Sequence, residues 1–129
     1  MTNENEIAAA REAMDGFMAA FNAEDADAIR TRWFHFPHIR FHSGKVTVMQ
    51  RPEDFFNLVW QRDDGDKEWS HTKFDLMDPI DAGPDKVHFR VRFTRYRADD
   101  TPIASYPSFY IVTRVGGRWA IQGRSSWAA

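Results

Sequence analysis

The sequence predicts an α+β domain in which three N-terminal helices pack on a curved, mainly antiparallel sheet and close a pocket of small-molecule size. Three observations carry this. Apolar residues recur at helical spacing near the N-terminus, two-residue alternation dominates after Lys67, and turn residues divide that second half into four long strands. At 129 residues the chain fits a single domain over 1–129, long enough to bury roughly two-thirds of the surface its unfolded form exposes. Its 43% hydrophobic and 15% aromatic content is that of a globular protein.

From Glu4 to Asn22, Ile7, Ala10, Met14, Phe17, Met18 and Phe21 form one helical stripe. Gly16 within it costs about 1 kcal/mol against alanine, which implies close packing at that turn. Asn22-Ala-Glu-Asp ends this helix and opens a short second one, from about Glu24 to Trp33. Pro37 stops helical structure, and His38 to His42 with Lys45 to Met49 reads as a β-hairpin across Ser43-Gly44. Arg51-Pro52-Glu53-Asp54 opens a third helix through Phe55, Phe56, Val59 and Trp60, with proline in the first turn. Strands follow over Trp69 to Asp78, Lys86 to Arg97, Ser105 to Val115 and Arg118 to Trp127. Gly116-Gly117 joins the last two as a tight hairpin, since both positions can take positive φ.

Val87, Phe89, Val91 and Phe93 alternate with His88, Arg90, Arg92 and Thr94, so the apolar set should face the helices. A simple turn over Asp81 to Pro84 would set Phe74 opposite Val91, Leu76 opposite Phe89 and Asp75 opposite Arg90. The same reasoning puts Phe109, Ile111, Thr113, Ala120, Gln122, Arg124 and Ser126 inside. Tyr110, Val112, Trp119 and Ile121 fall outside, an apolar face that predicts a homodimer through the outer sheet surface, burying Tyr110, Trp119 and Ile121.

There is no cysteine, hence no disulfide framework, thiolate metal site or thiol nucleophile. The acidic, polar start and the lack of a long apolar run lead us to expect a cytoplasmic protein with no membrane partner. A formal charge of −2 offers phosphate backbones no general attraction. In Arg90-Val-Arg-Phe-Thr-Arg-Tyr-Arg97 the phenylalanines alternate away from Arg90 and Arg92, so no base-stacking platform forms and no nucleic-acid partner is expected. No phosphate loop, nucleophile elbow or dinucleotide fingerprint occurs, and no cofactor is expected.

Phe17-Met-Ala-Ala-Phe-Asn-Ala-Glu-Asp-Ala-Asp-Ala-Ile, the closing Gly-Gly-Arg-Trp-Ala-Ile and the order of elements resemble the nuclear transport factor 2-like superfamily over nearly the whole chain. The resemblance implies a cone-shaped α+β barrel with a cavity between helices and sheet, often a dimer, and very diverse functions, among them ketosteroid isomerases, scytalone dehydratase and polyketide cyclases. Carried over by position, the isomerase machinery does not fit. Phe17 stands where those enzymes keep an oxyanion-binding tyrosine, His42 falls near their proton-shuttling aspartate, and Ile111 near their second acid.

His35, His38 and His42 suggest a metal set, but His38 and His42 lie roughly 13 Å apart along a strand, too far for one ion. No metal site is expected. The polar residues expected on the inner face are His42, Arg40, Arg95, Gln122 and Arg124. Their arginines either pair with Asp15, Asp27 or Asp78 as framework, or meet an anionic ligand at the pocket mouth. With Phe17, Trp33, Trp60 and Phe109 as apolar walls, these residues make a binding site for an unidentified small molecule. If the ligand is turned over, His42 is the candidate general base and Arg95 or Arg124 would stabilise negative charge, for an isomerisation, dehydration or cyclisation without cofactor. A non-catalytic dimeric interaction module with a filled cavity is the competing reading.

Overall fold

A computed structural model describes residues 3–55 and 68–127. Helix α1 (Glu4–Asn22) is followed by α2 (Ala26–Ala28), which runs on as a π turn over Ile29–Trp33. Six strands, β1 (Phe34–His42), β2 (Lys45–Met49), β3 (His71–Ala82), β4 (Lys86–Tyr96), β5 (Pro102–Val115) and β6 (Arg118–Ser126), form one sheet in the order β2-β1-β6-β5-β4-β3. The sheet is mixed, because β1 runs parallel to β6 while the other pairs are antiparallel. Expected as three helices, the helical layer is supported as two. Where the third was expected, Pro52–Asp54 form a 3-10 turn and Phe55 after it is extended, while Phe56, Val59 and Trp60 lie outside the described residues.

Asp25 caps α2 by accepting from the Ala28 amide at 3.0 Å, and Glu24 makes the turn in the left-handed region at φ 54°. Gly16 has the close neighbour its position implied. A Cβ there would fall 2.6 Å or less from indole atoms of Trp33, so α1 and the π turn meet face to face only because that Cβ is missing. At the end of α1 the Asn22 amide imitates a strand edge, donating to Thr72 O and accepting from Thr72 N, both at 2.8 Å. The helix is thereby pinned to β3.

The phase of β4 is as expected: Val87, Phe89, Val91 and Phe93 are buried toward α1. Its pairing with β3 is not. Phe74 lies opposite Phe93, Met77 opposite Val91 and Pro79 opposite Phe89, because β3 carries two bulges and extends to Ala82. Pro79 is tolerated there, at a bulge on an edge strand.

Strand β5 reverses the expectation. Phe89 pairs with Tyr110 and Val87 with Val112, so Tyr110 (5% exposed) and Val112 (0%) enter the core, while Phe109 and Ile111 turn outward. Both faces of β5 are apolar, so alternation alone could not choose between them. The Gly-Gly hairpin forms as expected, with Val115 opposite Arg118. Three residues further, Ile121 pairs with Val112 and then Gly123 with Ile111, leaving Gln122 unmatched in a bulge. That bulge shifts β6 by one residue, so Ile121 and Arg124 both face inward. Tyr110 and Ile121 are thus core residues, and Trp119 packs against the same core, so these three cannot carry the dimer surface assigned to them.

Candidate functional site

A small cavity of about 50 Å³ lies between α1 and the inner face of the sheet. Phe17, Met18 and Phe21 from α1 and Phe93 from β4 make its apolar side. Opposite them three adjacent strands bring one row of polar side chains together. Arg40 pairs in register with Arg124, and Arg124 with Tyr110. Arg95, Thr72 and Ser126 complete the polar wall.

Arg124 rests on neutral supports. Its Nε donates to His38 Nε2 at 2.9 Å, and its guanidinium lies 4.8 Å from the Phe34 ring centre. His38 stacks on that ring at 3.9 Å, with Nδ1 3.1 Å from Ile121 O. A carbonyl only accepts and a guanidinium only donates, so His38 carries its proton on Nδ1 and is uncharged. Burial first, and then Arg124, hold its pKa well below 6.5. Arg124 also donates to the Tyr110 hydroxyl, whose pKa burial raises, so the phenol keeps its proton. Burial lowers Arg124 to about 10, and it lowers Arg40 too, with Arg95 adding repulsion.

Among the described residues no carboxylate acts on Arg40 or Arg124, and no acid lines the cavity. Of the three acids expected to neutralise the arginines, Asp27 is engaged by Arg30, with Nε at 3.0 Å, and Asp15 and Asp78 are exposed and line no part of this cavity. Arg40 and Arg124, with no counter-charge among the described residues, are costly in a partly buried site, and an anion relieves that cost.

The structure brings together Phe17, Arg40, Arg95 and Arg124 of the residues expected here. It sends Trp33 to the packing contact with Gly16, and Phe109 to the outer face, edge-on to His88. Gln122 spans the bulge, accepting from Thr113 Oγ1 at 2.8 Å and donating to Pro37 O at 3.0 Å. His42 lies beyond Arg40 on β1, outside the cavity wall, with Nε2 3.2 Å from Thr47 Oγ1 and Nδ1 buried with no partner among the described residues. An unmet buried nitrogen costs about 1–3 kcal/mol. Burial, then Arg40, lower its pKa. His35 meets Arg118 O at 2.8 Å, so the three histidines serve three different places.

Two residues that shape the site were not read from the sequence. His38 was legible in principle, two residues before Arg40 on a strand, whereas Tyr110 required the register of β5.

A six-stranded mixed sheet under a long N-terminal helix, with a cavity between them, defines a class of fold. Residues 4–126 match the family model described as NTF2-like protein (DUF6841), and the chain belongs to that family. No curated protein matches the sequence. Among solved structures it is similar to an NTF-2 like protein of unknown function from Shewanella oneidensis MR-1, at 19% identity and TM-score 0.66, covering 91% of this chain and 94% of that one. A ketosteroid isomerase-like protein from Erwinia carotovora atroseptica superposes with TM-score 0.70 at 14% identity over 96% of both chains. A protein with a cystatin-like fold from Nostoc punctiforme reaches TM-score 0.74 at 10% identity, covering 98% of this chain and 92% of that one. At these identities the likeness concerns the fold alone.

Proposed function

We propose that this protein binds a small organic anion, its negative group held by Arg40, Arg95, Arg124 and the Tyr110 hydroxyl, its apolar part against Phe17, Phe21 and Phe93. The observation that carries this is the row Arg40, Arg124, Tyr110, supported from behind by a neutral histidine and not by a carboxylate. Binding is favoured over turnover because the described lining holds no base. Tyr110 keeps its proton, His38 spends its lone pair on Arg124, and His42 stands outside the wall. The open cavity also speaks against the filled-core module. Calorimetric titration with propionate, and with propylamine as the cationic control, tests the reading. Propionate should bind and propylamine should not, and Arg124→Gln should weaken propionate by about tenfold or more, the worth of a charge-assisted hydrogen bond. Equal behaviour of the two probes would dispose of it.

A homodimer remains part of this reading, on a corrected surface. Ile39, Phe41 and Val48, 38%, 50% and 48% exposed, form with the outward-turned Phe109 and Ile111 an apolar outer face. Exposed Arg90 and Asp78 lie opposite each other toward the β3 edge, so the rim carries both signs and suits a second copy of the same face.

A further inference from the structure

Ser126 is a wall of two cavities, the arginine pocket and a cleft of about 340 Å³ between the β1–β2 hairpin and the end of β6. The cleft is lined by His42, Phe41, Val46 and the largely exposed indole of Trp127. His42 follows Arg40 by two residues on β1, so the two share a face about 7 Å apart along the strand. Its Nδ1 is one of two buried ring nitrogens with no partner among the described residues, the other being His88 Nε2 on the outer face of β4. A hydroxyl both donates and accepts, so it satisfies Nδ1 in either tautomer.

The arginine pocket by itself holds a head group and little more. Its volume of about 50 Å³ is about a third of the roughly 150 Å³ cavity that accommodates benzene. The body of a larger ligand must therefore leave it. On the Met18 and Thr72 side the way out runs along a groove carrying Asp15, Lys73 and Asp75, a poor surface for a hydrocarbon chain. On the Ser126 side it meets His42 and the indole of Trp127.

We propose that pocket and cleft are two halves of one elongated site for a hydroxylated straight-chain carboxylate. The carboxylate sits at Arg40 and Arg124, the chain passes Ser126 with its last methylenes against Trp127, and a hydroxyl at the chain end meets His42 Nδ1. This rests on the anion-binding reading and names its ligand class.

Calorimetry with acetate, hexanoate and ω-hydroxyhexanoate tests it on the wild type, Trp127→Ala and His42→Leu. Affinity should rise along that series in the wild type, with about a threefold to tenfold gain from the hydroxyl. Trp127→Ala should erase the gain from chain length, and His42→Leu only the gain from the hydroxyl. Acetate binding by both variants serves as the control that the pocket is intact. If the three probes bind alike and neither variant separates them, the elongated site is wrong while the arginine pocket stands. If none of the probes binds the wild type, the pocket reading falls with it.

Discussion

Arg124 enters a partly buried cavity on supports that leave its charge uncompensated: an imidazole lone pair, a phenol oxygen and a ring face. With its pKa held at about 10, an anion placed beside it would raise that value. Anion affinity should therefore be level at neutral pH and decline as pH rises through about 10, and propionate titrations across that range check the sign. Burying one methyl group too many is a second test at this scale. Gly16→Ala gains about 1 kcal/mol of helix propensity, yet its Cβ would strike Trp33. A net loss of about 1–3 kcal/mol in urea unfolding is expected, since overpacking at a close contact outweighs the propensity gain.

At the scale of single elements, β5 and β6 decide the site. The reading from alternation placed Arg124 inside and Tyr110 outside, and two departures from it explain both outcomes. Turning β5 over brings Tyr110 in and would have carried Arg124 out with its partner strand. The unmatched Gln122 restores Arg124 to the inner face. Deleting Gln122 should put the β6 residues beyond it on the opposite face. Such a variant should lose propionate binding while keeping the far-UV circular dichroism of the folded sheet, and unchanged binding would refute the role given to the bulge. Helix α1 was readable because its stripe is unambiguous and its glycine contact follows from sterics. A strand apolar on both faces offers no such guide.

For the whole molecule, two properties should respond together. His38, and to a lesser degree His35 and His42, are held below the usual histidine pKa of 6.5, largely by burial. Below that pH the unfolded chain takes up protons that the folded chain refuses. Stability should then be full above about pH 6.5 and fall as pH drops, by at most about 1.4 kcal/mol per pH unit for each such histidine. Urea midpoints at neutral and mildly acidic pH measure it, and identical midpoints would count against neutral buried histidines. The outer face offers the second property. Ile111→Asp should convert a dimer to a monomer in sedimentation at micromolar concentration without loss of fold, because Ile111 points away from the core.

The α+β class, α1 with its buried stripe, the inward phase of β4 and the Gly-Gly hairpin followed from the sequence alone, since each rests on local periodicity or on a backbone conformation that few residues can adopt. So did the arginines as the residues to watch. Which of them share a cavity, and that Tyr110 and His38 stand behind them, was decided by strand register. Pairing between distant segments and a one-residue bulge set that register, and neither leaves a trace in the order of apolar and polar residues along the chain.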